Sequence, residues 1–486
     1  KDLTAWREAG GTRAELEARI EAAPDLVKQP PPEPDDEPPL PPSPVSDDAL
    51  ALSFAEKQAG ELRYVAKWSR WLRWTGKVWI EDDTLNVFSR VRALCRETAA
   101  GLTQKQAKKA LTSGKTIAAI ERLARSDDRL AATIDQWDAD LWLLNTPDGV
   151  VDLKIGAMRS HRSNDYMTKI AAVGPRGDCP KWKAVVSRIM GGDSALVAYL
   201  QRICGYCLTG DTSEQELFFG YGKGANGKGV FLRTIGRILS DYAKTAAIET
   251  FTESKTDRHP TELARLHNAR LVTASETESG RHWAESRLKT LTGGDIVTAH
   301  FMHKDDFEYA PQFKLFFFGN HKPGVRNVGV AMRRRVKMIP FTVTIPEPEQ
   351  DKHLEDKLND EWPGILAWMI EGCLEWRKRG LDPPDAVVAA TDEYFATQDS
   401  FSSWLDECCE RDPNAQTSST SLFGSWKAWA DKAGVRYGDI KSFGEAMTEK
   451  GFERKHTRTG NVFVGLRIAQ DPPPRQWQDK DDDPPF

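Results

Sequence analysis

The chain has 486 residues, enough for about three domains, and its 40% hydrophobic content and 16 tryptophans can supply real cores. A net charge of −5 excludes a globally basic nucleic-acid binder and leaves any DNA contact to a local patch or a lined pore. No apolar run approaches the ~18 residues of a membrane span and no signal peptide is recognisable, so no membrane partner is expected.

The chain opens on Lys1 rather than Met, as a fragment would. Thr12-Arg13-Ala14-Glu15 reads as a capping box, and Leu16 and Ile20 share the face of the helix it starts. Residues 29–48 read as a linker: nine of the fifteen residues from 30 to 44 are proline, with Glu33, Asp35, Asp36 and Glu37 among them. That composition builds no core and favours extended polyproline II. Residues 49–178 read as a mixed α+β domain. Trp68, Trp71, Trp74 and Trp79 interleave with Lys67, Arg70, Arg73 and Lys77, and Thr75-Gly76 suggests a hairpin turn. Exposed tryptophans would suit stacking on single-stranded DNA, and buried ones ordinary packing. A helical pattern covers 85–135, and Asn145-Thr146-Pro147-Asp148-Gly149 reads as a turn between strands. Residues 179–212 read as two helices, the second capped by Asp193 or Ser194. Seven cysteines are scattered, and Cys204-x-x-Cys207, with no second pair, reads as core on one of these helices.

Residues 213–350 carry the chemistry. Leu217-Phe218-Phe219 is a short strand, and Val230-Phe231-Leu232 with Ile235 recur at helical spacing. Between them lies Gly222-Lys223-Gly224-Ala225-Asn226-Gly227-Lys228-Gly229, the strand–loop–helix context of a phosphate-binding loop. Its glycines let main-chain N–H groups cradle phosphates, and Lys228 reaches the β- and γ-phosphates. The nucleotide-binding set runs from Gly222 to Val230. Gly229 stands where a Ser or Thr would hold Mg²⁺. Leu271-Val272-Thr273-Ala274-Ser275 reads as a buried strand ending on Glu276-Thr277-Glu278, carboxylates placed for a Mg²⁺-and-water site. A third strand, Lys314-Leu315-Phe316-Phe317-Phe318, ends on Gly319-Asn320, and Arg333-Arg334-Arg335 precedes a fourth apolar segment, Met338-Ile339-Pro340-Phe341.

Residues 351–398 read as helical, with Leu354, Leu358, Ile365, Leu366 and Ile370 near one face. Residues 399–469 give three helices and a β-turn-β, the pattern of a winged helix, with Arg454, Lys455, His456 and Arg458 on the wing. The stretch 470–486 is rich in Pro and Asp and reads as a disordered acidic tail.

The order and wording of these motifs resemble superfamily 3 helicases, in the branch of primase-helicases of phages, plasmids and satellite elements related to the poxvirus D5 and phage P4 replication proteins. LVTASETE, LKTLTGGD, KLFFFGNHKP and RRRVKMIPF look like its Walker B, B-prime, sensor and arginine-finger motifs, and LLNTPDGVVDL and YLQRICGYCLTG look like the domain before the motor. The resemblance implies a P-loop AAA+-like α/β motor, a central mostly parallel sheet flanked by helices. An α+β D5 N-terminal-like domain and a helical collar precede it, and a winged-helix-like domain follows. It implies ATP and Mg²⁺ as cofactors, with Lys228, Glu276, Glu278, Asn320, Arg334 and Arg335 as the catalytic set and the arginines acting from a neighbouring subunit. It implies a homo-oligomeric ring, a hexamer, moving 3′–5′ on single-stranded DNA and opening forked duplex in the cytoplasm of a bacterial host cell. His303 and Lys304 stand where the family's pore hairpin contacts DNA, although their order is reversed, and His300 replaces an Arg usual in the branch. Residues 1–28 resemble the end of a primase TOPRIM segment, which implies a primase domain or subunit upstream. The last residues, Asp-Lys-Asp-Asp-Asp-Pro-Pro-Phe, resemble the acidic tip of bacterial single-stranded-DNA-binding proteins and imply host replication partners. Two other readings stay open: an ATP-switch initiator or loader that remodels DNA without processive unwinding, and a DNA-binding scaffold with an inactive ATPase.

Overall fold

The computed structural model describes residues 6, 9–22, 45–253, 261–276, 281–301, 305–325, 329–398, 400–435, 437–458 and 460–469. The chain forms two compact units, residues 1–71 with 82–132, and residues 72–81 with 133–486.

In the first unit the capping box is present. Thr12 N–H donates to the Glu15 carboxylate at 3.0 Å and Glu15 N–H to the Thr12 hydroxyl at 3.4 Å, starting the helix Arg13–Glu21. The helical pattern at 85–135 resolves into three helices, Asn86–Ala100, Lys105–Leu111 and Gly114–Ala124. With Asp47–Gln58 they bury Leu50, Phe54, Val91, Leu94, Ile117 and Ile120. Trp71 is buried and donates its indole N–H to Glu121 at 2.5 Å.

In the second unit Trp74 faces Trp79 across the expected hairpin, and Trp79 is buried. The strands Leu143–Thr146 and Gly149–Asp152 place Leu144 and Val151 in the same core as the helices α1 (Pro180–Ile189) and α2 (Ser194–Tyr206). That hairpin, grouped by sequence with 49–178, therefore packs into the core shared with Phe218, Phe231 and Phe316. Asp193 caps α2, accepting from Ala195 and Leu196 N–H at 2.8 and 3.1 Å. Cys204 and Cys207 lie in this core, and burial pushes the Cys207 thiol up to about 12.

The strands and helices of residues 217–340 follow in order: β1 (Leu217–Tyr221), α3 (Lys228–Leu239), β2 (Ala243–Thr245), β3 (Leu271–Glu276), α4 (Glu285–Gly293), β4 (Val297–Ala299), β5 (Phe307–Tyr309), β6 (Lys314–Gly319) and β7 (Val336–Pro340). Five of the strands make one sheet in the order β7-β1-β6-β3-β2, with every pairing parallel. Both faces are covered, so the inner strands β1 and β6 are near-continuous apolar runs. Alternation sends Phe218, Phe316 and Ile339 to one face, against α3, and Phe219, Val272, Phe317 and Met338 to the other, with Leu288 of α4. Each fully buried side chain of this kind stabilises by about 1.5–3 kcal/mol. β4 and β5 form a separate antiparallel hairpin.

The helices α5 (Leu354–Asn359), α6 (Trp362–Arg379) and α7 (Asp385–Gln398) complete the two layers. α5 and α6 join the core shared with α3, while α7 adds Tyr394 and Phe395 to the opposite one. The last domain contains α8 (Ser400–Cys408), β8 (Cys409–Ser418), α9 (Ser419–Ala433), α10 (Ile440–Glu449), β9 (Arg454–Thr457) and β10 (Gly460–Ile468). Its sheet order is β8-β10-β9, a winged-helix-like arrangement. Among the described residues no helix is long and apolar enough to cross a membrane.

Candidate functional site

In the parallel sheet, the register aligns the ends of four strands. Gly319 lies opposite Tyr221 on one side and Glu276 on the other, and Tyr221 lies opposite Pro340. The glycine-rich loop leaves β1, the acidic segment leaves β3 and Asn320 leaves β6, all at one edge. This edge, outside the carboxyl ends of parallel strands where connections diverge, is where such sheets bind ligands.

The loop from Gly222 to Gly227 is built to expose its main chain. Gly224, Ala225 and Gly227 have positive φ, at 100°, 48° and 76°, the alternation that turns successive N–H groups into one concavity. Among the described residues, the N–H groups of Lys223 to Gly227 donate to no protein acceptor, while the Ala225 carbonyl accepts from Ile345 N–H at 2.7 Å. α3 starts at Lys228 and adds the positive end of its dipole. Lys228 is buried, with Nζ 2.8 Å from the Gly222 carbonyl and 3.0 Å from Asn226 Oδ1, and burial pulls its pKa below the ordinary lysine range. Lys223 is exposed, and Val230 packs half-buried against the core. A cradle of unpaired donors beside a loop-held ammonium fits a polyphosphate.

Glu276 closes β3 directly across from Gly319. Asn320 follows β6 and is exposed. Glu278, His303 and Lys304, and the tail 470–486, lie outside the described residues, as do 1–5, 7–8 and 23–44. The hairpin meant to carry His303 and Lys304 is present: Val297 pairs with Tyr309 and Ala299 with Phe307, and His300 Nδ1 lies 2.9 Å from Asp306.

The three arginines separate. They precede β7 and so lie at the sheet edge opposite the loop, since Val336 pairs with Leu217 while Pro340 pairs with Tyr221. Four residue steps of strand put about 13 Å between the two edges. Arg334 is exposed. Arg335 is buried, donating to the Thr292 hydroxyl at 3.0 Å and the Ala331 carbonyl at 2.9 Å. Arg333 lies over the Phe395 ring at 5.3 Å.

Sequence patterns gave no role to Lys322, whose Nζ stands 3.9 Å from the centre of the Tyr221 ring, at the base of the loop. The only hint is its place two residues after Asn320. A separate cleft of about 640 Å³, lined by Glu253, Leu263, Glu285, Arg287 and Val297, includes no loop residue.

Residues 51–191 match the family model described as D5 N terminal like, and residues 220–335 match a family of unknown function, DUF5906. Among curated relatives, "Putative helicase" L207/L206 of Acanthamoeba polyphaga mimivirus is 25% identical over 318 residues, covering 60% of this chain and 33% of the relative. The similarly named 022R of Frog virus 3 (isolate Goorha) is 26% identical over 241 residues, covering 45% and 25%. The chain thus spans a third or less of these relatives' own length. Among solved structures, the apo C-terminal region of NrS-1 superposes with a TM-score of 0.50 at 10% identity, covering 87% of this chain and all of that one, a likeness of fold. The chain is thus similar to D5-like proteins over residues 51–191 and to viral proteins named as putative helicases, and it shares a fold with the NrS-1 region.

Proposed function

We propose that this chain is the motor part of a replicative DNA helicase, hydrolysing ATP to move 3′–5′ on single-stranded DNA and open forked duplex as a hexameric ring. The observation that best supports this reading is the single row formed by the glycine-rich loop, the end of β3 and Asn320, with an exposed Arg334 at the opposite edge. The N–H groups of 223–227 and Lys228 bind the triphosphate, and Asn320 orients the attacking water or reads the γ-phosphate. Glu276 and Glu278 are the residues to hold Mg²⁺, which when bound neutralises charge on the phosphate oxygens. Arg334 cannot serve its own loop about 13 Å of strand away. It suits the site of a neighbour, which requires head-to-tail contacts and a closed ring. His303 and Lys304 would line the pore. The domain boundaries at 178, 212, 350 and 398, an upstream primase segment and host partners at the acidic tip belong to the same proposal.

The test is ATP hydrolysis with and without single-stranded DNA, paired with strand displacement from a forked duplex. DNA-stimulated hydrolysis with displacement supports the motor. Hydrolysis without displacement would return the protein to an initiator or loader. Loss of both, with DNA binding kept, would make it a scaffold, the reading that the missing hydroxyl at Gly229 favours.

A further inference from the structure

Gly229 is the second residue of α3, and another side chain fills the space where a hydroxyl would stand. A Cβ on Gly229 would lie 2.8 Å from Nη1 of Arg233 and 3.4 Å from its Cζ. The spacing explains this. Residues four apart share a helix face, and helix side chains lean toward the N-terminus, so Arg233 reaches back over the first turn toward the loop. Glu355 of α5 fixes it there, accepting from Arg233 Nε at 2.9 Å and from its Nη2, and from Arg237 Nη1 at 3.0 Å. The Arg233 hydrogen bond holds the Glu355 carboxyl below the usual range, so this partner stays charged. The grip uses the Nε/Nη2 edge of the guanidinium. Nη1, the corner that faces the loop, has no protein acceptor among the described residues.

We propose that Arg233 is a nucleotide-binding residue of this site. Its Nη1 corner donates to the β/γ-phosphate oxygens of a nucleoside triphosphate, taking up charge at the position where a P-loop hydroxyl would hold a metal. A guanidinium suits this because its planar donors match phosphate oxygens and it never loses its charge. The consequence is a triphosphate site that depends less on Mg²⁺ than a hydroxyl-bearing one. This inference rests on the nucleotide-site reading above.

The test titrates a fluorescent non-hydrolysable ATP analogue into the full chain, in Mg²⁺ and in EDTA, with thermal melting as a check on folding. Arg233→Ala should weaken the analogue about tenfold to a hundredfold in both conditions, the loss of one charge-assisted hydrogen bond. Arg233→Lys should keep part of the affinity. The melting temperature should barely move, because Arg233 is half exposed and Glu355 keeps its Arg237 partner. In the Arg233→Ala background, Gly229→Ser should restore affinity in Mg²⁺ and not in EDTA, since the hydroxyl then has room. Unchanged binding by Arg233→Ala, while Lys228→Ala loses it, would reduce Arg233 to a surface ion pair and overturn the proposal. Unchanged binding by Lys228→Ala as well would instead remove the nucleotide site, and this inference with it.

Discussion

Asn226 ties Lys228 to the residue that follows β7: its Oδ1 accepts from Lys228 Nζ at 3.0 Å while its Nδ2 donates to the Phe341 carbonyl at 2.9 Å. The lysine is thereby stored inside the loop and needs only to exchange two neutral acceptors for phosphate oxygens. Lys228→Ala relieves the desolvation of a buried charge and at the same time takes a donor from the Gly222 carbonyl and Asn226 Oδ1, two opposing effects, so the melting temperature should shift little. It also removes the cation meant for the phosphates, and ATP turnover should fall by about 10² to 10³ or more. Steady-state hydrolysis with a melting curve measures both. Near-normal turnover would sink the motor reading.

The same clamp explains why Gly222 must be glycine. A Cβ there would stand 2.1 Å from the Phe341 carbonyl oxygen and 2.2 Å from Asn226 Nδ2. One of these is backbone and cannot swing aside. Gly222→Ala should therefore break the Asn226–Phe341 bond, abolish nucleotide binding and cost about 1–3 kcal/mol of stability. Gly236→Ala, in α3 with open space around its Cβ position, should instead add up to about 1 kcal/mol from helix propensity. Urea unfolding of both variants compares the two signs.

Arg334 and Arg335 are adjacent in sequence and opposite in surroundings. Arg335→Ala strips the Thr292 hydroxyl and Ala331 carbonyl of a buried donor and should lower stability by about 1.5–3 kcal/mol. Arg334→Ala should leave the melting temperature alone and depress ATP turnover. Mixing Arg334→Ala with Lys228→Ala subunits should then recover part of the activity, because some interfaces combine an intact loop with an intact arginine. Absence of recovery, with subunit exchange demonstrated, would rule out action between subunits.

On the proposed reading Lys304, in the segment between β4 and β5, contacts DNA. Lys304→Ala should reduce unwinding far more than basal ATP hydrolysis. It should also flatten the salt dependence of single-strand binding by about one unit of slope, as one fewer counterion is released. Binding titrations at several salt concentrations read this slope. An unchanged slope and unchanged unwinding would return the residue to ordinary solvent exposure.

What was legible from sequence follows the physics of each segment. The strands β1, β3 and β6 were clear because a parallel sheet covered on both faces requires runs such as Leu217-Phe218-Phe219 and Leu315-Phe316-Phe317. The loop was clear because its glycines sit where positive φ and close approach demand them. β8 is not among the expected elements, three helices and one hairpin over 399–469, and it carries Asp412, Pro413 and Asn414 only through a register shift between Arg411 and Gln416. The difference between Arg334 and Arg335 was also invisible, since it depends on a hydroxyl from α4, forty-three residues away. Arg233 went unnoticed because its role depends on Glu355, from another helix. The hairpin at 143–152 joins the core of the parallel sheet through tertiary packing that no local pattern records.

Glu216 immediately precedes β1 and gives the fold a pH signature. It is nearly buried, its Oε2 has no hydrogen-bond partner among the described residues, and Lys337 Nζ lies 3.1 Å from Oε1. Burial raises its pKa from 4.5 to about 7, with the Lys337 charge opposing the rise. A folded-state pKa above the unfolded one means that the native chain binds this proton more tightly than the unfolded chain. The stabilisation is complete below about pH 4.5 and is lost as pH rises through about 7. Glu216→Gln is neutral at every pH and lacks this dependence. The difference in unfolding free energy, wild type minus Glu216→Gln, should therefore fall steadily between pH 4.5 and 7 and level off above it. Urea unfolding of the two proteins at pH 5, 6, 7 and 8 measures that difference, and other titrating groups cancel in the subtraction. A difference that stays flat, or that rises with pH, would mean that Lys337 dominates and that Glu216 is ionised throughout.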